Sequence, residues 1–310
     1  MNSSRRAVSA LVVTWNNDET LDACLSALRE ELPVGGEIVL LDNGSVDRSV
    51  AIALHYTARV IRRQDNVGFA AGMNVLSEAA HGDVLVLVNP DLFVQQGGIK
   101  ALLKYLPTGL ERRIIGGLLL RPDGKPEIAS ARPIPSAGDF IRWLFTRRQP
   151  KATVPERARI VDAVSGAFFA TSATLWRELG GFDSKYVHSG EDLDLFWRAA
   201  RHGAEVWFEP AARATHVGGG SVRRTPASLD AIRLAGALRL VEKRQGRAAA
   251  LAFRATLLLL AWVALLADRL RVRALPSGRR ARARAFVELG LRGTRAQPQL
   301  PSQPAEGRPV

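Results

Sequence analysis

A single cysteine, Cys24, in 310 residues leaves no internal disulfide and no cysteine-built zinc cluster, and it fits a reducing compartment. An uninterrupted apolar run of membrane-spanning length is missing as well. The amino-terminal MNSSRRAVSALVVTW has two arginines and a short apolar run, without a long apolar core or a small-residue cleavage site. It is therefore expected to be a strand and not a secretory leader. The most apolar stretch, Ala248 to Ala267, is interrupted by Arg254, and Ala255 to Ala267 is short for a membrane span. Residues 1–220 carry almost no net charge. Residues 221–310 hold 18 Lys and Arg against 5 Asp and Glu, a net of +13 that equals the charge of the whole chain. Those arginines are not interleaved with aromatics and no nucleic-acid-binding module is recognisable, which argues against a nucleic-acid partner. What is present, 47% hydrophobic and 24% charged residues, supports a core in one large or two smaller domains.

The chain can be arranged around Asp83 to Asp91, DVLVLVNPD. Val84 to Val88 is an uncharged apolar run between Gly82 and Pro90, the pattern of a strand buried on both faces of a parallel sheet. It delivers Asn89 and Asp91 past its carboxyl end, where ligands of open parallel sheets bind. Pro90 sets its own φ and biases Asn89 towards extended geometry. A carboxylate there suits a divalent cation carrying a phosphate-bearing ligand; it also starts an ordinary turn.

Before this strand the elements alternate. Val8 to Val13 is a strand ending at Thr14-Trp15-Asn16, and a helix follows with Asn17 or Asp18 as cap and Leu21, Leu25, Leu28 and Leu32 on one face. Glu37 to Leu41 is a strand that ends at Asp42-Asn43-Gly44-Ser45. Ser45 to Tyr56 is expected to be helical and Ala58 to Ile61 a short strand. Asn66 to Asn74 opens a helix rich in small residues, where a ligand can approach closely near Asn66 and Gly68. The β-α-β-α-β order implies right-handed crossovers and a mostly parallel, doubly wound α/β sheet. Three strand ends then place Thr14-Trp15-Asn16, Asp42-Asn43 and Asn89-Asp91 on one edge. Trp15 and Asp42 suit a base and a ribose there; packing for Trp15 and a plain turn at Asp42 to Ser45 account for either alone.

Beyond Asp91, a helix near Ile99 to Leu106, a strand near Ile114 to Leu120 and a turn at Arg121-Pro122-Asp123-Gly124-Lys125 are expected. Residues 131–159, rich in proline and arginine around an apolar knot at Phe140 to Phe145, are expected to be a loop over the site or against a membrane. Val161 to Phe169 returns to strand character, and a helix near Ser172 to Leu179 ends at Gly180-Gly181. Ser189 to Arg198 is amphipathic, with Leu193, Phe196, Trp197 and Ala200 at helical spacing and Glu191 and Asp192 in the first turn. The helix dipole favours a carboxylate there, and Asp192 can accept a proton; dipole complementation alone also explains the pair. Asp194 and Arg198 are spaced for an ion pair. Ala204 to Phe208 is a strand leading to His216 and a glycine-rich loop, and His216 can complete the sphere of a metal held by Asp91.

The ordered blocks VTWNN, LLDNGS, DNVGFAAGMN, LVNPD, VSGAFF, GGFD, GEDLDLFWRA and ATHVGGGS resemble the inverting family 2 glycosyltransferases over about residues 7–221. The likeness is greatest to the branch of rhamnosyltransferases of bacterial surface polysaccharides. The resemblance implies a GT-A-type fold, a nucleotide-diphosphate sugar donor and a divalent metal, Mg2+ or Mn2+. It places Thr14, Trp15, Asp42 and Asn43 at the nucleotide, Asp91 as the metal ligand, His216 as a further metal or diphosphate contact, Asp192 as general base and Glu191 at the acceptor. Two departures stand out. Asn89 occupies one of the two positions that commonly carry aspartate, and Tyr186 to Gly190 lacks the aromatic-rich run often found before the acidic pair.

The expected organisation is a GT-A domain over 1–222, a basic and apolar helical appendage over 223–293, possible against a membrane, and a disordered tail over 294–310. The expected reaction is a single displacement that transfers a sugar, L-rhamnose from dTDP-rhamnose by family likeness, to a lipid-linked or polysaccharide acceptor in cell-envelope glycan synthesis. The apolar helix beside Arg269, Arg271, Arg273, Arg279, Arg280, Arg282 and Arg284 suggests a cytoplasmic protein peripheral to the inner face of the plasma membrane. The competing readings are a packing helix with a solvated basic tail, a UDP- or GDP-hexose donor, and a catalytically silent nucleotide-sugar-binding scaffold.

Overall fold

A computed structural model describes residues 7–56, 59–106, 112–146, 153–186, 189–218, 226–270 and 277–293, with backbone alone at 226–231 and 277–282. The expected domain boundary at 222/223, the tail 294–310, Val187-His188 and the glycines after Gly218 lie outside the described residues.

The strand β1 (Val8–Thr14) is buried along its whole length. Helix α1 (Asp18–Glu31) returns over the sheet on Leu21, Leu25 and Leu28, and leads to β2 (Glu37–Asp42). After α2 (Ser49–Tyr56), β3 (Val60–Arg62) and α3 (Phe69–Ala79) comes β4 (Val84–Val88), buried at every position. β1 runs parallel to both β2 and β4, with Thr14 opposite Asp42 and Val12 opposite Val88, so the carboxyl ends of the three strands are aligned.

The rest of the chain extends this sheet. β5 (Leu92–Val94), α4 (Gly98–Lys104), β6 (Arg113–Leu120), β7 (Ala131–Arg132) and α5 (Ala137–Thr146) are followed by β8 (Arg159–Ile160), β9 (Ala163–Val164) and β10 (Phe168–Ser172). Then come α6 (Ala173–Leu179), α7 (Glu191–Arg201), β11 (Glu205–His216), α8 (Pro226–Arg269) and α9 (Ser277–Arg292). The large sheet has the order β3-β2-β1-β4-β10-β6-β11-β5, with β8 on β11; β10, β5 and β8 oppose the direction of the others. Alternate residues of β1 enter opposite faces. Leu11 and Val13 pack with Met73 of α3 and Phe196 of α7, and Ala10 and Val12 with Leu25 of α1 and Ile99 of α4. Each such large apolar side chain contributes about 1.5–3 kcal/mol by leaving water. This is the mostly parallel, doubly covered α/β architecture that the strand pattern implies.

Three segments differ from expectation for identifiable reasons. Residues 137–146 form helix α5 and not a loop. Ser136 and Asp139 cap it reciprocally, Asp139 Oδ2 accepting from Ser136 and Ser136 Oγ accepting from the Asp139 N–H (3.2 Å). Its apolar knot finds a partner in α8, with Phe140 stacked on Phe253 at 5.7 Å. The strand expected at Val161 to Phe169 is broken at Ser165-Gly166, because β9 leaves the main sheet to pair with β7. β11 runs on through Pro210 to His216, its register against β6 shifting between Glu209 and Arg213; a residue without an N–H is tolerated at such a bulge. In α8 the helical path breaks at Gly246 (φ 83°, ψ 178°), a conformation open to glycine.

Candidate active site

The aligned ends of β1 and β2 are a polar edge whose groups largely satisfy one another. Thr14 is fully buried and donates its hydroxyl to Asn17 Oδ1 (3.3 Å), which also accepts from the Trp15 N–H (3.0 Å). Asn16 is in the left-handed region at φ 53°, which asparagine visits more readily than most residues. Its N–H donates to Ser45 Oγ (2.8 Å) and its Oδ1 accepts from the Val46 N–H (2.9 Å). Both oxygens of Asp42, 1% exposed, accept from the Ser45 N–H at 3.2 Å, so the stretch after β2 is a side-chain-closed turn. Asn43 accepts from the Val67 N–H and donates to the Gly68 carbonyl, both at 3.4 Å, and Asn66 Oδ1 accepts from the Gly68 N–H (2.9 Å). Thr14, Asn16, Asp42, Asn43, Asn66 and Gly68 thus belong to one connected edge. Trp15 is half-buried beside it, and its indole Nε1 is buried without a hydrogen-bond partner.

At the end of β4, Asn89 enters the fold through its backbone. Its N–H donates to the Ala167 carbonyl (3.0 Å) and its own carbonyl accepts from Cys24 Sγ (3.4 Å). Burial, and then the charge of Asp91, push the Cys24 thiol up to about 12, so it remains protonated and serves as packing. Asp91 is 9% exposed. The antiparallel pairing of β5 with β11 sets Leu92 opposite His216, which carries the imidazole to Asp91. His216 Nε2 is 3.4 Å from Asp91 Oδ1, and Nδ1 lies 3.1 and 3.2 Å from the two oxygens of Glu127. Burial alone would lower the His216 pKa, but hydrogen bonds to Asp91 and Glu127, with their charges, outweigh it and raise the pKa to about 10.

A divalent cation fits this place. Oxygen and a neutral imidazole nitrogen are suitable donors, so a bound cation would take the place of the His216 Nε2 proton. Asp91 and His216 already face each other, and Glu127 supports the far ring nitrogen as carboxylates commonly do behind a ligating histidine. Among the described residues no group of three or more His, Cys, Asp or Glu side chains is arranged to hold an ion by itself. The remaining ligands would be oxygens of a bound phosphate or water, the usual case for Mg2+.

Asp192 lies in the first turn of α7. Its Oδ1 accepts from the Leu193 N–H (2.8 Å), and its Oδ2 faces the Gly166 N–H (3.3 Å) and Arg132 Nη2 (3.5 Å). A Cβ on Gly166 would stand 2.8 Å from Asp192 Cβ, so the turn can lie this close only without a side chain. Glu191 beside it is 8% exposed, with Oε2 buried and unpartnered. Burial, and then the charge of Asp192, push its pKa up to about 8, so near neutral pH it retains its proton. The Ser165-Gly166-Ala167 turn therefore touches both halves of the candidate site, Asp192 through Gly166 and the strand end before Asp91 through Ala167.

Helix α8 braces this turn of α7. Lys243 pairs with Asp183 and with Asp194, which is fully buried and also accepts from Arg198 Nε (2.8 Å). Arg239 forms a second bridge to Asp183 (3.0 Å), and a Cβ on Gly236 would meet the Ser189 carbonyl at 2.2 Å. Two functional candidates, Glu127 and Arg132, escaped the sequence reading. The hairpin turn before Glu127 was visible, but nothing local marks the glutamate, and Arg132 is one of several arginines in a segment read as a loop.

The family model for glycosyl transferase family 2 matches residues 9–171. The chain is 29% identical over 245 residues to N-acetylglucosaminyl-diphospho-decaprenol L-rhamnosyltransferase of Mycobacterium tuberculosis, covering 70% of this chain and 78% of that protein. It is 26% identical over 216 residues to the pre-mycofactocin glycosyltransferase of the same organism, covering 69% of this chain but 43% of that protein, so it spans less than half of that relative. Among solved structures, GalNAc-T7 with UDP, GalNAc and Mn2+ superposes with a TM-score of 0.59 at 17% identity, over 78% of this chain and 48% of that one. Glucosyl-3-phosphoglycerate synthase from M. tuberculosis, with Mg2+ and UDP, superposes at 0.53 and 18% identity, over 76% of this chain and 80% of that one. These two likenesses speak for the shared fold.

Proposed function

The chain belongs to glycosyl transferase family 2, and from that premise we propose that it transfers a sugar from a nucleotide-diphosphate donor to an acceptor hydroxyl with inversion at the anomeric carbon. The observation that carries this reading is the Ser165 to Ala167 turn. It holds Asp192 on one side and the strand end leading to Asp91 on the other. In the reaction the acceptor oxygen forms a bond to the anomeric carbon as the bond from that carbon to the diphosphate oxygen breaks. Asp192 takes the hydroxyl proton, a contribution of about 10²–10⁴-fold. Its carboxylate is oriented by the N–H groups of Gly166 at Oδ2 and Leu193 at Oδ1, and protonated Glu191 beside it avoids a second negative charge. Asp91 and His216 would hold a Mg2+ or Mn2+, which when bound supplies neutralisation of the charge growing on the leaving diphosphate. Trp15, Asp42 and Asn43, with Thr14, Asn16, Asn66, Gly68 and Asn89 around them, form the surface for the nucleotide.

The donor in this reading is dTDP-rhamnose and the acceptor a lipid-diphosphate-linked sugar, met at the cytoplasmic face of the membrane. The support is the 29% identity to an L-rhamnosyltransferase whose name states such an acceptor. A thermal-shift screen of nucleotide-diphosphate sugars with and without Mn2+ tests the donor, since a bound ligand stabilises the fold. Stabilisation by dTDP-rhamnose, greater with Mn2+ and followed by sugar transfer, is expected. A larger shift with a UDP- or GDP-hexose removes rhamnose and leaves the transfer chemistry. A shift without turnover favours the silent scaffold, and no shift with any donor contradicts both readings.

A further inference from the structure

Helix α8 is apolar on two faces, and one of them has no partner among the described residues. Phe253, Leu257 and Ala261 pack inward with Phe286 and Leu289 of α9. The outward stripe is Leu251, Leu259, Trp262, Val263, Leu266 and Leu270, each more than half exposed. These positions recur at helical spacing over about 28 Å of axis, where a helix facing water presents polar residues. Exposed apolar surface of that extent marks a contact with something else.

We propose that this stripe is a docking surface for an anionic lipid monolayer, with α8 and α9 lying in the plane of the leaflet. Charge selects this occupant. Arg269 is exposed at the end of the stripe and Arg284 and Arg292 on α9, within a segment whose sequence carries a net of +13 over residues 221–310. A second copy would bring an equal positive charge against the first, whereas acidic headgroups attract it. The acidic groups nearby are few: Glu288 is paired with Arg292, and Asp268 has its own interaction. The length and apolarity of α8 would allow it to cross a bilayer, but its packing with α9 argues for the in-plane arrangement. Arg254 donates to the Gly290 and Leu291 carbonyls, and a Cβ on Gly290 would stand 2.3 Å from Leu258, so α9 lies along the apolar part of α8. Threading this pair through a bilayer would draw the exposed Arg284 and Arg292 of α9 into hydrocarbon. Gly246 separates the docking half of α8 from the half that braces the Asp192 turn, so the two tasks fall on different stretches of one helix.

The test is sedimentation of the full chain with vesicles of phosphatidylglycerol in phosphatidylcholine, against phosphatidylcholine alone. The native chain should bind the acidic vesicles and be released by salt or alkaline carbonate. The triple variant Leu259→Glu, Trp262→Glu, Leu266→Glu should lose about tenfold or more of that binding. Its melting temperature and nucleotide-diphosphate affinity should match the native chain, showing that the fold is kept. Failure of the native chain to bind, equal binding by the triple variant, or extraction by detergent alone would each overturn the proposal. So would a dimer that the triple variant dissolves without any vesicle binding. Vesicle binding and donor binding are read separately, so failure of either leaves the other standing.

Discussion

The two halves of the candidate site are built by different means. On the edge formed by β1 and β2, Asn16, Asn17, Asp42, Ser45 and Ser49 bond to backbone groups within the first 50 residues, and the turns close on themselves. Each side has a non-glycine residue at positive φ, Asn16 at 53° and Ser189 at 77°. Each also buries a polar atom without a partner, Trp15 Nε1 on one and Glu191 Oε2 and Arg132 Nε on the other. What differs is the origin of the supports around Asp192. That side is held in place from a distance, by Gly166 beneath it and by Lys243 and Arg239 of α8. A self-contained cradle suits a ligand part that every transfer reuses. A turn braced from distant elements suits the place where a proton moves and a second substrate arrives.

The contrast can be tested by removing one support at a time. Asp194→Ala should have the largest effect. It strips a fully buried carboxylate from Arg198 and Lys243, and urea unfolding should show a loss of about 3 kcal/mol, moderated by the partial exposure of Lys243. Gly166→Ala should leave the melting temperature nearly unchanged while lowering kcat by up to about 10²-fold, since the new methyl displaces the base. An unaltered kcat would mean that the turn does not position Asp192. Glu191→Gln sharpens the electrostatic side of the comparison. The folded chain keeps a proton on Glu191 up to about 8 that the unfolded chain releases near 4.5. Native stability from this group is therefore complete below 4.5 and lost as pH rises towards 8. The variant lacks that loss, so its melting temperature should fall less across the window; parallel curves would contradict the assignment. Ser49→Ala should be the mildest, about 1 kcal/mol for its hydrogen bond from the Asn17 N–H (2.9 Å), with kcat kept.

The sequence made the first half of the fold legible because its strands are short apolar runs closed by turn residues, a signal carried within a few positions. Asp42, Asp91 and Asp192 stand out for the same reason, each following or opening a periodic element. Helix α5 was hidden because its apolar residues are matched by Phe253 and Leu257, more than a hundred positions away. Glu127 and Arg132 gain their meaning only when β11 returns to β5 and α7 settles on the Gly166 turn. Glu191 illustrates the same limit. Its place beside Asp192 is visible, but not the burial that, with the charge of Asp192, keeps it protonated.

The central claim is a division of labour between two carboxylates, and calorimetric titration of a nucleoside diphosphate with Mn2+ into Asp91→Asn and Asp192→Asn, alongside their transfer rates, tests it most directly. Both variants should lose transfer, Asp91→Asn with a loss of Mn2+-dependent affinity and Asp192→Asn with native affinity. Native-like turnover by Asp192→Asn, or unchanged Mn2+-dependent binding by Asp91→Asn, would contradict it.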